Sequence, residues 1–271
     1  MSSPGVMGQT GRIIGLIVLS SLCLQLYFAG RIALMRVISP QSTTFQRSEM
    51  ARIAREQGRI LWSQQAVDAS QISDNLRRAV VASEDANFVD HSGIEWDALQ
   101  AAWRKNNAAK ARAEKQQQAV MARYERSVAR AKARGRTPPP VPTLANTTPK
   151  VIGGSTITQQ LAKNLFLSSE RNLLRKGQEF VLTFMLEALL GKDRILSVYL
   201  NNVEWGEGVF GAQAASRHYF GADANRLSAY QAARLAVMLP APKRFERQPG
   251  SPYVMGRSAT IVARMGGAEI P

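Results

Sequence analysis

The sequence predicts a mainly α-helical chain, and three observations carry that reading. Apolar residues recur at three- and four-residue spacing in "RNLLRKGQEFVLTFMLEALLGKDRILSVYLNN" and "LSAYQAARLAVMLP", the period of a helix with one buried face. No stretch alternates apolar and polar residues long enough to form a half-buried strand. Residues 13 to 30, "IIGLIVLSSLCLQLYFAG", carry no charge, which is enough chain to cross a hydrocarbon layer of roughly 30 Å as one helix. The 271 residues suffice for one large domain or two small ones, and no internal repeat is present.

Composition narrows the function. A formal charge of +15, from 35 Lys+Arg against 20 Asp+Glu, points to a polyanionic partner: nucleic acid, an anionic membrane surface or a phosphorylated substrate. A single cysteine, Cys23, excludes an internal disulfide and any multi-cysteine metal centre. Two histidines, His91 and His218, argue against a histidine-rich one.

The elements follow in order. Residues 1–12 read as a short tail and 13–35 as a transmembrane anchor, with Arg31 reaching for the polar boundary. A cleaved signal peptide is the alternative, but the apolar run exceeds a usual signal core and no A-x-A site follows. Residues 36–61 read as a polar connector, and 62–271 as the domain that carries the chemistry. Within that domain 104–150 is a basic insertion, with 12 Lys+Arg against 2 Glu. Its first part, "AAKARAEKQQQAVMARYERSVARAKAR", has strong helix propensity but a thin apolar stripe. Gly135 and "TPPPVP" end it. It reads either as an exposed arm with a partner or as a solvated helix with none.

Four clusters can carry chemistry. In "VVASEDANFVDHSG" an apolar run ends at Glu84 and Asp85, where partial burial suits a proton-transfer carboxylate; an ordinary helix end is the plain alternative. In "GGSTITQQLAKNLFL" Ser155 reads as the helix N-cap. Thr156, Gln159, Gln160 and Lys163 then share one polar arc, a plausible anion cradle. In "RNLLRKGQE" the residues are Arg171, Arg175, Lys176 and Glu179, the last opening a strongly apolar helix. In "KDRILSVYLNNVEWGEG" the residues Lys192, Arg194, Asn201, Asn202 and Glu204 border apolar ones and read as structural caps and contacts. Paired carboxylates are a recurring solution for glycosyl transfer, and cations are needed where a phosphate leaves.

In this order the segments resemble the signatures of the peptidoglycan glycosyltransferases, glycosyltransferase family 51. "EDANFVDHSG" is similar to the first, "GGSTITQQLAKN" to the second, "RKGQE" to the third, "KDRILSVYLNNVEWGEGVFGAQAASRHYFG" to the fourth and "QAARLAVMLPAPKRF" to the last. Any one of these is weak; five in sequence are specific.

The resemblance implies a lysozyme-like fold of two lobes, beside one N-terminal transmembrane helix in the bacterial inner (cytoplasmic) membrane, with the catalytic domain in the periplasm. It implies lipid II and the growing glycan chain as substrates, Glu84 as general base and Glu179 as a second catalytic carboxylate near the donor. Lys163 and Arg171 match pyrophosphate-binding positions, and Arg175 and Lys176 complete a basic wall; Asp85, Ser155, Thr156, Gln159 and Gln160 border the substrate. Mg²⁺ or another divalent cation assists some members, with no dedicated metal cage here and no organic cofactor. The expected partners are membrane phospholipid and cell-wall synthesis or division proteins, not nucleic acid. The basic insertion departs from the family's short connection, and it is expected to lie on anionic phospholipid. Two rival readings are a lytic glycosidase using the same carboxylates with water, and a membrane-tethered basic protein without enzymatic activity.

Overall fold

The computed structural model describes residues 6–142, 153–167 and 172–271. It agrees with the mainly helical expectation. Two compact units form: Met1–Ile94 with Thr156–Pro271, and Glu95–Ser155.

The first unit begins with α1 (Val6–Leu34), whose stretch Gln9–Leu34 is long and apolar enough to span a membrane. Ile13, Leu16, Ile17, Leu19 and Leu26 on it are all exposed, the pattern of a helix that meets lipid rather than protein. Its C-terminal part joins the core, through Phe28, Ile32 and the following Met35.

The segment read as a connector contains a helix, α2 (Thr44–Gln57). A capping box between Thr43 and Gln46 starts it and Gly58, at φ 67°, ends it. Only Gln46 and Ile53 on it are buried, so its apolar stripe is too thin to stand out in the sequence.

Next come β1 (Ser63–Gln64) and α3 (Asp74–Glu84), then, beyond the second unit, α5 (Ile157–Phe166), α6 (Leu173–Leu189) and α7 (Lys192–Asn202). The chain continues through β2 (Glu204–Gly206), β3 (Val209–Phe210), α8 (Ala212–Phe220), α9 (Ala229–Met238), α10 (Pro242–Glu246) and α11 (Pro252–Met265). The strands form one small sheet in the order β1-β3-β2, parallel between β1 and β3 and antiparallel between β3 and β2. At two or three residues each they are too short to print an alternation in the sequence. Gly211 (φ 81°) follows β3 because a Cβ there would lie 2.5 Å from the carbonyl oxygen of Asn201.

The core lies where α3 packs on α9 and α11, and where α5 packs on α6 and α7. Leu76, Val80 and Val81 of α3, Leu161 of α5, Leu182 and Leu186 of α6 and Tyr199 of α7 are almost wholly buried. Burial of each large apolar side chain contributes about 1.5–3 kcal/mol. Trp205 fills the centre and donates its indole N–H to the carbonyl of Leu235 at 3.0 Å.

The second unit is dominated by α4 (Trp96–Ala133), a 38-residue helix on which only Ala102 is buried. It starts before the basic insertion, so Trp103 and the lysines and arginines after it belong to one rod. Gly154 packs on its first turns, where a Cβ would sit 3.1 Å from that of Ala102.

Candidate active site

The site grows from the end of α3. Ser73 caps the helix by accepting from the N–H of Leu76. The helix stops at Glu84 because Asp85 leaves helical geometry, at φ −163° and ψ 74°. The buried stripe ends at Val81, and three residues on the Glu84 carboxylate stands half-buried at the rim of the core.

Glu84 is held by a short relay. The amide of Gln160 donates to Glu84 Oε2 at 3.1 Å. Gln160 Oε1 accepts from the hydroxyl of Tyr199 at 2.9 Å, which fixes the amide with its NH₂ toward the carboxylate. Burial pushes the Glu84 carboxyl above its ordinary pKa; the hydrogen bonds from Gln160 and Ser83 oppose that shift and the charge of Asp85 adds to it. Burial, and then the charges of Glu84 and Asp85, raise the Tyr199 phenol well above its usual value, so it serves as a donor.

Asp85 is buried and points elsewhere. Its Oδ2 accepts from the N–H of Ile157 at 2.9 Å, at the first turn of α5; a carboxylate there meets the positive end of the helix dipole. Its Oδ1 lies 2.8 Å from His91 Nε2. His91 Nδ1 accepts from the N–H of Gly93 at 3.1 Å, so Nε2 carries the proton and donates to Asp85. Gly93 sits at φ 88°, and its carbonyl accepts from the Thr156 hydroxyl at 2.6 Å.

These contacts correct the reading of Ser155 as N-cap: Ser155 is exposed, and Thr156 caps α5 in a capping box with Gln159. Thr156 comes one residue later and has both Gln159 as its N3 partner and the Gly93 carbonyl as an acceptor, so the helix starts there. Thr156 and Gln159 are buried in that cap and Gln160 reaches Glu84, so the three do not form one open polar arc. Lys163 stands exposed one turn beyond Gln160.

A second group forms on α6, where Asn172 caps the helix by accepting from the N–H of Arg175. Buried Glu179 accepts from Arg175 Nη1 at 3.2 Å and pairs with Lys176 Nζ. Among the described residues the buried Arg175 Nε–H has no partner. Arg171 lies outside the described residues. Helices α5 and α6 pack together, but no hydrogen bond or ion pair among the described residues joins the Glu84 group to the Glu179 group.

Two supporting residues were not singled out in the sequence: Tyr199, hidden in the apolar run "SVYLNN", and Glu187, one of many helix carboxylates. Glu187 accepts from Thr158 at 2.6 Å and from Lys192 at 2.9 Å, and Lys192 also donates to the carbonyl of His91 at 2.6 Å. This bolts the loop after α3 to α5, α6 and α7. Asn201 and Asn202 bond backbone groups: Asn201 exchanges two hydrogen bonds with Val67, at 2.9 and 3.0 Å, and Asn202 donates to the carbonyl of Val198 at 2.8 Å.

Among the described residues no three His, Cys, Asp or Glu side chains gather to hold a metal. The carboxylates of Asp85 and Glu179 are already engaged by donors and cations.

The site thus holds a half-buried carboxylate at one helix end and paired cations on the neighbouring helix. The family model described as "Transglycosylase" matches residues 51–127 and 142–266; the chain belongs to the transglycosylase family and is a glycosyltransferase. It is 41% identical over 271 residues, all of this chain and 97% of the relative, to the biosynthetic peptidoglycan transglycosylase of Paraburkholderia phytofirmans. It is 46% identical over 250 residues, 92% of this chain and 83% of the relative, to the protein of the same description from Burkholderia pseudomallei. The expectation of a peptidoglycan glycosyltransferase agrees with this family and with the names its relatives carry, and the apolar N-terminal helix fits a single-pass anchor.

Proposed function

We propose that this chain is a peptidoglycan transglycosylase that polymerises lipid II into linear glycan strands with release of undecaprenyl pyrophosphate. The observation that carries the reading is the Glu84 carboxylate, half-buried, raised in pKa and oriented by Gln160 and Tyr199. A raised pKa makes the ionised carboxylate a stronger base toward a sugar hydroxyl, and a positioned base contributes about 10²- to 10⁴-fold.

Glu84 takes the proton from the 4-hydroxyl of the acceptor GlcNAc. That oxygen forms a bond to the anomeric carbon of the donor MurNAc, from the face opposite the leaving group. The bond from that carbon to the pyrophosphate oxygen breaks, the electron pair leaves with the pyrophosphate, and the configuration inverts from α to β. Arg175, Lys176, Lys163 and Arg171 offset the growing negative charge. The Arg175 Nε–H, which has no partner among the described residues, supports this, since it is a donor not used by Glu179. Glu179 holds Arg175 and Lys176 in place beside the donor. No step is routed through a metal ion.

The link between anchor and site supports a lipid-borne donor. Gln25 of α1 and Gln178 of α6 exchange two amide hydrogen bonds, at 2.9 and 3.0 Å, one residue from Glu179. Leu174, Val181 and Phe184 of α6 are exposed apolar residues, so the helix bearing the cations also has a lipid-compatible surface. The anchor lies in the bacterial cytoplasmic membrane with the catalytic unit on its periplasmic side.

The test incubates the full chain with labelled lipid II and separates the products on a gel. Long glycan is expected from the native protein and none from Glu84→Gln, which retains lipid II binding. Shortening of finished glycan without consumption of lipid II would instead assign a lytic glycosidase.

A further inference from the structure

The basic insertion does more than carry charge: it folds that charge into a concave site. Arg123, Arg126 and Arg130 of α4 and Arg134, its C-cap residue, follow one another at three- and four-residue steps, so they line one side of the helix end. The two acids of the insertion, Glu114 and Glu125, fall on the opposite side at about 100° per residue.

The helix then ends in a turn that adds to the same side. Gly135, at φ 62°, lets its own N–H bond to the carbonyl of Lys132 at 3.1 Å and that of Arg136 bond to the carbonyl of Ala131 at 2.9 Å. Those two bonds satisfy the terminal carbonyls and fold the chain back. Arg136 and Thr137 thereby close a cavity of about 450 Å³ with the four helix arginines. Among the described residues none of the five guanidinium groups pairs with a carboxylate. Five uncompensated arginines around one hollow repel one another, and a bound oxyanion relieves that repulsion. The guanidinium fork matches phosphate oxygens two at a time. A water occupies about 30 Å³, so the hollow has room for a phosphate group with part of its hydration.

We propose that Arg123, Arg126, Arg130, Arg134, Arg136 and Thr137 form a phosphate-binding site, separate from the transferase site, that takes a phosphate-bearing ligand. The ligand is either the headgroup of an anionic phospholipid or a soluble phosphate, and the same chemistry serves both. The site rests on the geometry of the arm alone and does not depend on the identity of the glycosyl donor.

The experiment uses the full chain in an uncharged detergent and isothermal titration calorimetry. One arm titrates inorganic pyrophosphate, the other mixed micelles containing phosphatidylglycerol. Saturable binding that the arginine variant below weakens is expected in at least one arm; such binding in the lipid arm alone assigns the headgroup, in the pyrophosphate arm alone a soluble ligand, and pyrophosphate binding that the variant leaves unchanged belongs to the transferase site. The combined change Arg126→Gln, Arg130→Gln and Arg134→Gln weakens it on the order of 100-fold, the effect of three such contacts. A control with Lys105→Gln, Lys110→Gln and Lys115→Gln removes the same charge from outside the hollow and loses less than about 3-fold. Circular dichroism checks that α4 persists; if it does not in the triple variant, single changes at Arg126 and Arg130 are scored the same way. No saturable binding in either arm, or equal loss in both charge variants, overturns the site.

Discussion

Gln160 donates to Glu84 at 3.1 Å while accepting from Tyr199 at 2.9 Å, so the orientation of the carboxylate at the end of α3 is set by an amide on α5 and a phenol on α7. Three helices distant in sequence thereby fix one carboxylate. Such a carboxylate, proposed above as the base, has a defined direction and a pKa that its neighbours tune.

Replacing Gln160 by Met keeps the volume and removes the donor to Glu84. That donor opposes the rise in the Glu84 pKa, so its loss raises the pKa further. The base must be ionised to act, so the acidic limb of the kcat/KM profile moves to higher pH. An unmoved limb with lowered activity would show that Gln160 serves packing alone.

Asp85→Asn places an NH₂ group between two donors, the N–H of Ile157 and Nε2–H of His91. At least one buried donor then lacks an acceptor, at a cost of about 1–3 kcal/mol. The melting temperature falls, and activity falls with it because Glu84 is the next residue. Thermal melts beside glycan synthesis check this; wild-type stability would mean that the Asp85 contacts carry no load.

Gly93→Ala strains a residue at φ 88° and drives a Cβ to 2.7 Å from Thr183 Cγ2 and 2.8 Å from Glu187 Cγ. The expected loss is about 1–3 kcal/mol, read from denaturant unfolding. The loop that carries His91 shifts with it, so activity drops more than the stability loss alone explains. A variant as stable and active as the native protein would refute the tight packing of this turn.

Glu204 is buried beside Lys243 and Glu49, and its carboxyl is pushed up to about 7, chiefly by burial, against attraction from Lys243. The folded state therefore holds a proton that the unfolded state has already lost between pH 4.5 and about 7. In that window the native state binds more protons, so stability falls as pH rises, by up to about 3 kcal/mol. Glu204→Gln removes this titration, and its melting temperature changes less across the window. An equal slope in both proteins sinks the assignment.

Much of the candidate site was legible in the sequence because its residues are local in the chain. Glu84 and Asp85 come within four residues of the last buried residue of their stripe, Val81, and Arg175, Lys176 and Glu179 meet within about one helical turn. The membrane helix was legible because an uncharged run of that length is a one-dimensional property. The capping residue of α5 was misplaced by one position, since Ser and Thr both suit the role and the choice depends on the carbonyl of Gly93, which comes from a distant loop. The helix α2 escaped notice because its hold on the fold is polar, through the Gln46 amide donating to the carbonyl of Asn202 at 2.9 Å.

The sequence by itself determined the helical class, the anchor, the order of the chemical segments and the charge of the arm, because each is written in residues close together along the chain. Only the tertiary structure decided which carboxylate stands as a candidate base and which is a strut. Asp85 and Glu84 are neighbours with the same chemistry, yet one is buried and consumed by His91 and the start of α5 while the other stays half-buried, accepting from Gln160 and Ser83. That division comes from where α5 and α7 pack against the end of α3, a matter of long-range burial that no local pattern encodes.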